Sequence, residues 1–283
     1  MSIRIICDSA SDITREQAEK WGVTILPIKT IFGDQEYLDG VTMDHKEFYE
    51  KLIETDELPK TSQISPYDYE EVFKKGIEAG DTIICITLSS KLSGCYQSAH
   101  IAAAEFEGQV KIVDSENVCI GEQLLVELAV RLRKEGKNAE EIVTILSEEK
   151  KNIRLIALLD TLEYLKKGGR ISTTAAFAGT LLSIKPVIAI KNGEITMLGK
   201  ARGSKNGNNM LIHMVKEEGG INLDMPLSLA YSGLSDDILQ KYIQDSTELY
   251  QGQVDNLPIC TIGSTIGTHV GPGAIAAAFF VNH

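Results

Sequence analysis

Long apolar runs are missing from the 283-residue sequence. The longest, residues 274–281, falls far short of the roughly 20 apolar residues that a membrane-spanning helix needs. The first residues also lack the basic, apolar and small-residue regions of a signal peptide, because a strand-like pattern follows Met1 directly. We therefore expect a cytoplasmic protein without stable insertion in a membrane.

Positive charge is scarce in this chain. Lysine and arginine total 28 against 40 acidic residues, which gives a formal net charge of −12 and an isoelectric point near 5.0. Proteins that bind nucleic acid neutralise its phosphates with clustered lysine and arginine. The composition therefore argues against a nucleic-acid partner.

Paired cysteine motifs are missing as well. The five cysteines are well separated, with no C-x-x-C and no Cys/His pair at metal-binding spacing, which is typical of buried thiols in a reducing compartment. Asp8 and Asp12 could be imagined as a magnesium pair, yet a turn and a helix cap explain them as easily. No third hard ligand lies near them in sequence, so we predict no metal.

Common enzyme signatures are also absent. The sequence has no G-x-x-x-x-G-K-[ST], G-x-G-x-x-G, H-E-x-x-H or G-x-S-x-G motif. We therefore predict a protein that is not itself an enzyme, with no catalytic residues and no cofactor. The alternative is a free-standing enzyme, either a phosphotransferase that uses the serine-rich loops with Asp8 and Asp12, or a serine hydrolase that uses Ser93.

The sequence does contain three hydroxyl-rich loops in its first third, at residues 8–12, 59–66 and 89–94. The third loop follows a β-branched run and precedes a helical pattern, so its N–H and O–H groups predict a seat for a carboxylate or a phosphate. In an α/β sheet such loops gather at the carboxyl ends of the strands. The alternative is that Ser93 only caps the helix and Gly94 only relaxes the turn.

Strand and helix patterns alternate along the chain and predict an α/β fold with two lobes. We expect residues 1–151 to form an N-terminal lobe with an open, mostly parallel sheet flanked by helices. Residues 152–283 are expected to form a C-terminal α/β lobe with a mixed or antiparallel sheet. The Asn192-Gly193 turn between two β-prone runs is the strongest hairpin signal in this second lobe.

Six motifs, spread nearly from end to end, carry a family resemblance. They are I-x-C-D-S-A-S-D (5–12), K-T-S-Q-x-S-P (60–66), L-S-S-x-L-S-G-x-Y-Q-S-A (88–99), Y-L-K-K-G-G-R-I-S (164–172), L-S-I-K-P (182–186) and G-T-H-V-G-P-G (267–273). In this order they resemble the DegV family of bacterial fatty-acid-binding proteins, as one unit over about residues 3–281. The resemblance implies a long-chain fatty acid such as palmitate as the ligand.

The resemblance also implies which residues hold that ligand. Those expected at the fatty acid carboxylate are Thr61, Ser93, Gly94, Ser62 and His269. We expect His269 in a glycine-rich loop, although a lone histidine is often a satisfied core or surface residue. The residues expected along an apolar tunnel between the lobes, where ordinary core packing explains them equally well, are Phe177, Leu181, Leu182 and Ile184.

A partner is implied in the same way. The family's binding subunits present the carboxylate to an ATP-using fatty acid kinase subunit, which forms an acyl phosphate. Arg170 and Arg202 stand in two small basic groups of an otherwise acidic chain, and we expect them to dock this partner. Basic groups are also common as solvated surface, which is the alternative.

Overall fold

The computed structural model describes residues 2–55, 57–171 and 184–282. A four-stranded sheet is built from β1 (Ile3–Asp8), β2 (Val23–Leu26), β6 (Thr82–Thr87) and β7 (Val110–Asp114). Its order is β2-β1-β6-β7, and every neighbouring pair is parallel. The two central strands are buried over most of their length, as expected when both faces of a parallel sheet are covered. The predicted parallel sheet is confirmed.

Helices accompany these strands along the chain, and several begin at the capping residues that the sequence offers. They are α1 (Arg15–Trp21), α2 (His45–Glu54), α3 (Pro66–Glu78), α4 (Cys95–Ala103), α5 (Ile120–Lys134) and α6 (Ala139–Glu149). Thr14, Ser65 and Asn138 each form a capping box before α1, α3 and α6. Local sequence therefore decides where these three helices start.

A small antiparallel sheet of order β4-β3-β5 lies beside the parallel one. It consists of β3 (Lys29–Phe32), β4 (Gln35–Leu38) and β5 (Lys60–Ser62). A turn at Gly33 and Asp34 joins β3 to β4. The K-T-S-Q segment was expected as a loop, but its first three residues form β5, which pairs with β3 and sets Thr61 opposite Thr30.

The rest of the described chain builds a six-stranded mixed sheet of order β10-β9-β8-β13-β11-β12. The strands are β8 (Ile153–Leu158), β9 (Ile184–Lys191), β10 (Glu194–Arg202), β11 (Leu227–Tyr231), β12 (Ile259–Thr261) and β13 (Ile275–Phe280). Its neighbours are antiparallel except for the parallel pair β11 and β12. The β9–β10 hairpin turns at Asn192 and Gly193, both with positive φ, as predicted.

Four further helices lie along this part of the chain: α7 (Glu163–Lys167), α8 (Ser204–Glu217), α9 (Asp237–Asp245) and α10 (Ser264–Val270). Helix α10 occupies the start of the segment that was expected as a glycine-rich loop, which places His269 near the end of a helix. Over the described residues, no helix combines the length and the apolar character needed to cross a bilayer.

Helix α5 is buried over most of its length, except near its C-terminal end, because it packs against strands of both large sheets. It contacts β1 and β6 of the parallel sheet and β8, β11 and β13 of the mixed sheet. Glu122, near its start, is also fully buried. The lobe boundary at residues 151 and 152 stays a prediction, since α5 joins the two sheets in one core.

Candidate functional site

A cavity of about 320 Å³ lies where the hydroxyl-rich loops meet α10, and we call it the head-group cavity. Its polar lining consists of Thr61, Ser62, Gln63, Ser93, Gly94, Arg170, Thr265 and His269. Its apolar lining consists of Ile28, Leu88, Leu92, Val118, Leu165, Ile195, Ile266 and Val270. One space therefore offers hydroxyl groups and one arginine together with an apolar wall.

In the serine-rich loop at residues 89–94, one hydroxyl holds the fold and another lines the cavity. Ser89 is fully buried, and its Oγ donates to the carbonyl of Gly193 at 2.7 Å, which ties this loop to the β9–β10 hairpin. Ser93 lines the cavity, and its Oγ accepts from the N–H of Cys95 at 3.3 Å. Ser93 therefore supports the start of α4 and also lines the cavity, while Gly94 holds the N-cap position without a side-chain bond.

Gly94 allows close contact between the hydroxyl-rich segments 59–66 and 89–94. A Cβ placed on Gly94 would lie 1.9 Å from Oε1 of Gln63, a distance that no real Cβ contact shows. The amide of Gln63 fills this space and donates from Nε2 to Ser98 Oγ at 3.0 Å. A side chain at position 94 would displace the amide of Gln63 and break its bond to Ser98.

Thr61 and His269 meet in the cavity wall, although 208 positions separate them in the chain. Thr61 Oγ1 lies 3.0 Å from His269 Nε2. Burial, and to a smaller extent the nearby positive charge of Arg170, lowers the pKa of His269 to about 4. The imidazole is therefore neutral at pH 7, and one of its nitrogens donates or accepts with Thr61.

The N-terminus of α10 is held by carboxylates from the opposite end of the chain. Asp39 accepts from the N–H and Oγ of Ser264 at 2.9 and 2.8 Å, and from the N–H of Thr265 at 3.3 Å. Asp12 accepts from the N–H of Gly263 at 2.8 Å. These bonds satisfy the free N–H groups of the first helical turn. They also fix the helix that carries His269.

The predicted docking arginines occupy different places. Arg170 is half-buried and lines the head-group cavity, where its Nε donates to the carbonyl of Leu92 at 3.2 Å and Nη1 to that of Gly168 at 2.7 Å. Arg202 is exposed at the end of β10 and lies outside the cavity lining. The structure therefore brings Arg170, but not Arg202, to the residues predicted for the carboxylate.

The geometry gives little support to the enzyme alternatives. Within the described ranges, the hydrogen bonds of Ser93 Oγ run to Cys95, while His269 bonds Thr61, so no base contacts Ser93. Burial raises the pKa of the Cys95 thiol to about 11, which keeps it protonated. No group of three or more His, Cys, Asp or Glu side chains that could hold a metal ion occurs among the residues described.

Comparison with known proteins gives a consistent result. A family model described as an uncharacterised protein of the DegV family matches residues 2–282. A DegV domain-containing protein of Caldanaerobacter subterraneus is 33% identical over 279 residues, which cover 98% of each chain. The chain belongs to the DegV family.

Solved structures of DegV proteins are similar over nearly their full length. A fatty-acid-binding DegV family protein from Thermus thermophilus has a TM-score of 0.89 and 31% identity, covering 99% of this chain and 100% of that one. A stearic-acid-binding protein from Eubacterium ventriosum has a TM-score of 0.88 and 28% identity, covering 99% of this chain and 98% of that one. The DegV fold is therefore shared by the whole described chain.

The sequence analysis of this DegV chain found the polar end of the cavity better than the apolar one. Of the tail residues that it named, Phe177, Leu181 and Leu182 lie outside the described residues, and Ile184 begins β9 without lining the cavity. The apolar residues that do line it are spread over six separate stretches of chain. Some of them lie inside the quoted motifs, but no motif shows which apolar side chains face a common cavity, so they were missed.

Asp39 was also missed, and its role can be measured. Because replacement of an N-cap acceptor leaves buried N–H groups unsatisfied, Asp39→Ala should lower the free energy of unfolding by about 2 kcal/mol. It should also shift the NMR signals of the His269 imidazole. Asp44→Ala is the matched control, because it removes the exposed cap of α2. The control should leave the His269 signals unchanged. If Asp39→Ala leaves them unchanged too, Asp39 does not position this histidine.

Proposed function

We propose that this DegV chain binds one long-chain fatty acid, with the carboxylate at Thr61, Ser93 and Gly94 in the head-group cavity. The observation that carries the proposal is the pairing of hydroxyl donors with an apolar wall in one cavity. The DegV structures from Thermus thermophilus and Eubacterium ventriosum, which bind fatty acids, support it. Ser62 and His269 complete the polar end, and we place the tail along residues 177–184.

The Thr61–His269 pair suits a carboxylate ligand. We assign the hydrogen of the neutral imidazole to Nε2, so that it donates to Thr61 Oγ1 across their 3.0 Å contact. The hydroxyl proton of Thr61 is then free to donate to the ligand. A carboxylate held by hydroxyl groups keeps its charge without a full countercharge at each oxygen, and Arg170 supplies one positive charge nearby.

The chain acts as a carrier in this proposal. It presents the carboxylate to an ATP-using fatty acid kinase subunit, which forms the acyl phosphate, and Arg170 and Arg202 face that partner. The sequence lacks the phosphate-binding motif G-x-x-x-x-G-K-[ST], which supports a carrier whose partner holds the ATP. The exposed position of Arg202 leaves it available for a salt-sensitive contact.

The fatty acid content of the purified protein tests the proposal. We expect mass spectrometry of an organic extract to find about one long-chain fatty acid for each chain, since the apolar contacts of each buried methylene contribute about 0.8 kcal/mol. The same preparation, incubated with ATP alone, should form no acyl phosphate. Acyl phosphate made by this chain without a partner would instead establish the phosphotransferase alternative.

A further inference from the structure

A second depression, of about 470 Å³, shares part of its wall with the head-group cavity, and we call it the outer groove. Thr61, Arg170 and His269 line both spaces. The side chains at the polar end of the fatty acid site are therefore reached from two sides. The outer groove is the second side, and nothing in the binding of a free fatty acid requires it.

The lining of the outer groove is cationic, which is unusual on this acidic protein. Lys60, Lys167 and Arg170 line it against one carboxylate, Glu57. Lys60 is exposed, and it forms no ion pair with any residue that the structure describes. Lys167 pairs with Glu163 at 2.7 Å, but both side chains are more than half exposed, so this pair is weak and easily exchanged.

We propose that the outer groove binds the phosphoryl group of a fatty acyl phosphate, an inference that rests on the proposed carrier function. In the reaction, a carboxylate oxygen of the fatty acid bonds to the γ-phosphorus of ATP. The bond from that phosphorus to the β,γ-bridging oxygen breaks, and the electron pair leaves with ADP. The product carries its new phosphoryl group on the carboxylate oxygen, next to Thr61 and His269.

The side chains of the two spaces suit the two groups: the head-group cavity suits the carboxylate, and the outer groove suits the phosphoryl group. A carboxylate carries one negative charge, and the hydroxyls and Arg170 of the head-group cavity suit it. A phosphoryl group adds charge and three acceptor oxygens, for which lysine ammonium groups are strong donors. Lys60 and Lys167 line only the outer groove, so they distinguish the acyl phosphate from the free acid.

The test compares two ligands on one variant. The ligands are palmitate and the phosphonate analogue of palmitoyl phosphate, in which a methylene group replaces the bridging oxygen. In the double variant Lys60→Gln with Lys167→Gln, affinity for the phosphonate should fall by about a hundredfold or more, because each of the two lost contacts to a charged group costs about tenfold or more. Affinity for palmitate should stay within about twofold of wild type, since neither lysine lines its cavity.

A matched control removes the same charge elsewhere. Lys134→Gln with Lys137→Gln changes two exposed lysines that do not line the groove, and it should leave both affinities unchanged. An equal loss of phosphonate affinity in the two double variants would show a general charge effect and overturn the subsite. A loss of palmitate together with phosphonate in the groove variant, or no loss of either, would overturn it too. If wild-type protein binds no palmitate, the proposed function itself fails.

Discussion

Palmitate should bind between about a hundredfold and ten-thousandfold more weakly when Thr61→Val and Ser93→Ala are combined in one chain. Each substitution removes a hydroxyl that we propose as a donor to the carboxylate, and a hydrogen bond to a charged group contributes about 1.5–3 kcal/mol. The loss should exceed that from any change in the apolar wall, because the charged end would then lie in a part-buried site with too few donors. Titration with a fluorescent fatty acid, followed by competition with palmitate, measures it.

The matched control for this double variant is Ser90→Ala with Thr144→Val. Both residues are exposed, and neither lines the head-group cavity. This control should bind palmitate like wild type. Circular dichroism and thermal unfolding show whether the test variant keeps its fold, since Ser93 also accepts from the N–H of Cys95. Unchanged palmitate affinity in a folded double variant would remove both hydroxyls from the site.

Glu122→Gln should stabilise the protein more strongly as the pH rises. Glu122 is fully buried in α5, and neither carboxyl oxygen has a hydrogen-bond partner among the described residues. Burial raises the pKa of this carboxyl well above its ordinary value, and the negative charge of Asp8 raises it further. Folded protein therefore keeps the proton at a pH where unfolded protein has lost it.

The sign of this effect follows from proton binding. Below about pH 4, both states hold the proton on Glu122, and the group has no influence on stability. Above that pH, the folded state binds more protons than the unfolded state, so the free energy of unfolding falls by about 1.4 kcal/mol for each pH unit. Glutamine does not titrate, so the advantage of the variant over wild type should grow with pH by up to that amount for each unit, as long as folded Glu122 keeps its proton.

Urea unfolding at pH 5, 6 and 7 measures the free energy of unfolding of the variant and of wild type. The difference between the two proteins cancels the pH effects of Asp8 and Asp12, which are present in both. Burial raises the pKa of those two carboxyls to about 7 and about 8, and they titrate equally in both proteins. Glu127→Gln is the control on the same helix. It breaks a surface pair with Arg131, so it should change stability by less than about 1 kcal/mol. If the difference in the free energy of unfolding between Glu122→Gln and wild type does not change with pH, Glu122 is not buried as a neutral acid.

The elements that sequence predicted well are those with local causes. The Asn192-Gly193 hairpin needs only two residues with positive φ, and both carry that signal themselves. Strand β5 was missed because the strand that it pairs with, β3, lies about 30 residues earlier in the chain. The hydroxyl groups on β5 were still recognised, because the chemistry of a Lys-Thr-Ser segment is visible whether it forms a strand or a loop.

Helix α10 was missed for a similar reason. Its start, at Gly263 and Ser264, has no capping side chain of its own, and its middle contains Gly267. The acceptors come from Asp12 and Asp39, more than 200 positions away, so no window of sequence contains the cap and the helix together. The prediction that Thr61 and His269 belong to one site therefore depended on the family resemblance.

The carboxylate cap of α10 has a consequence for the order in which the protein is made. Synthesis proceeds from the N-terminus, so the ribosome produces Asp12 and Asp39 long before the helix that they hold. A nascent chain that ends before Ser264 already contains all three hydroxyl-rich segments, but it lacks His269 and the helix that positions it. The polar end of the cavity is therefore assembled only after residues 264–270 have been made, and under the proposed function no lipid is held there before that point.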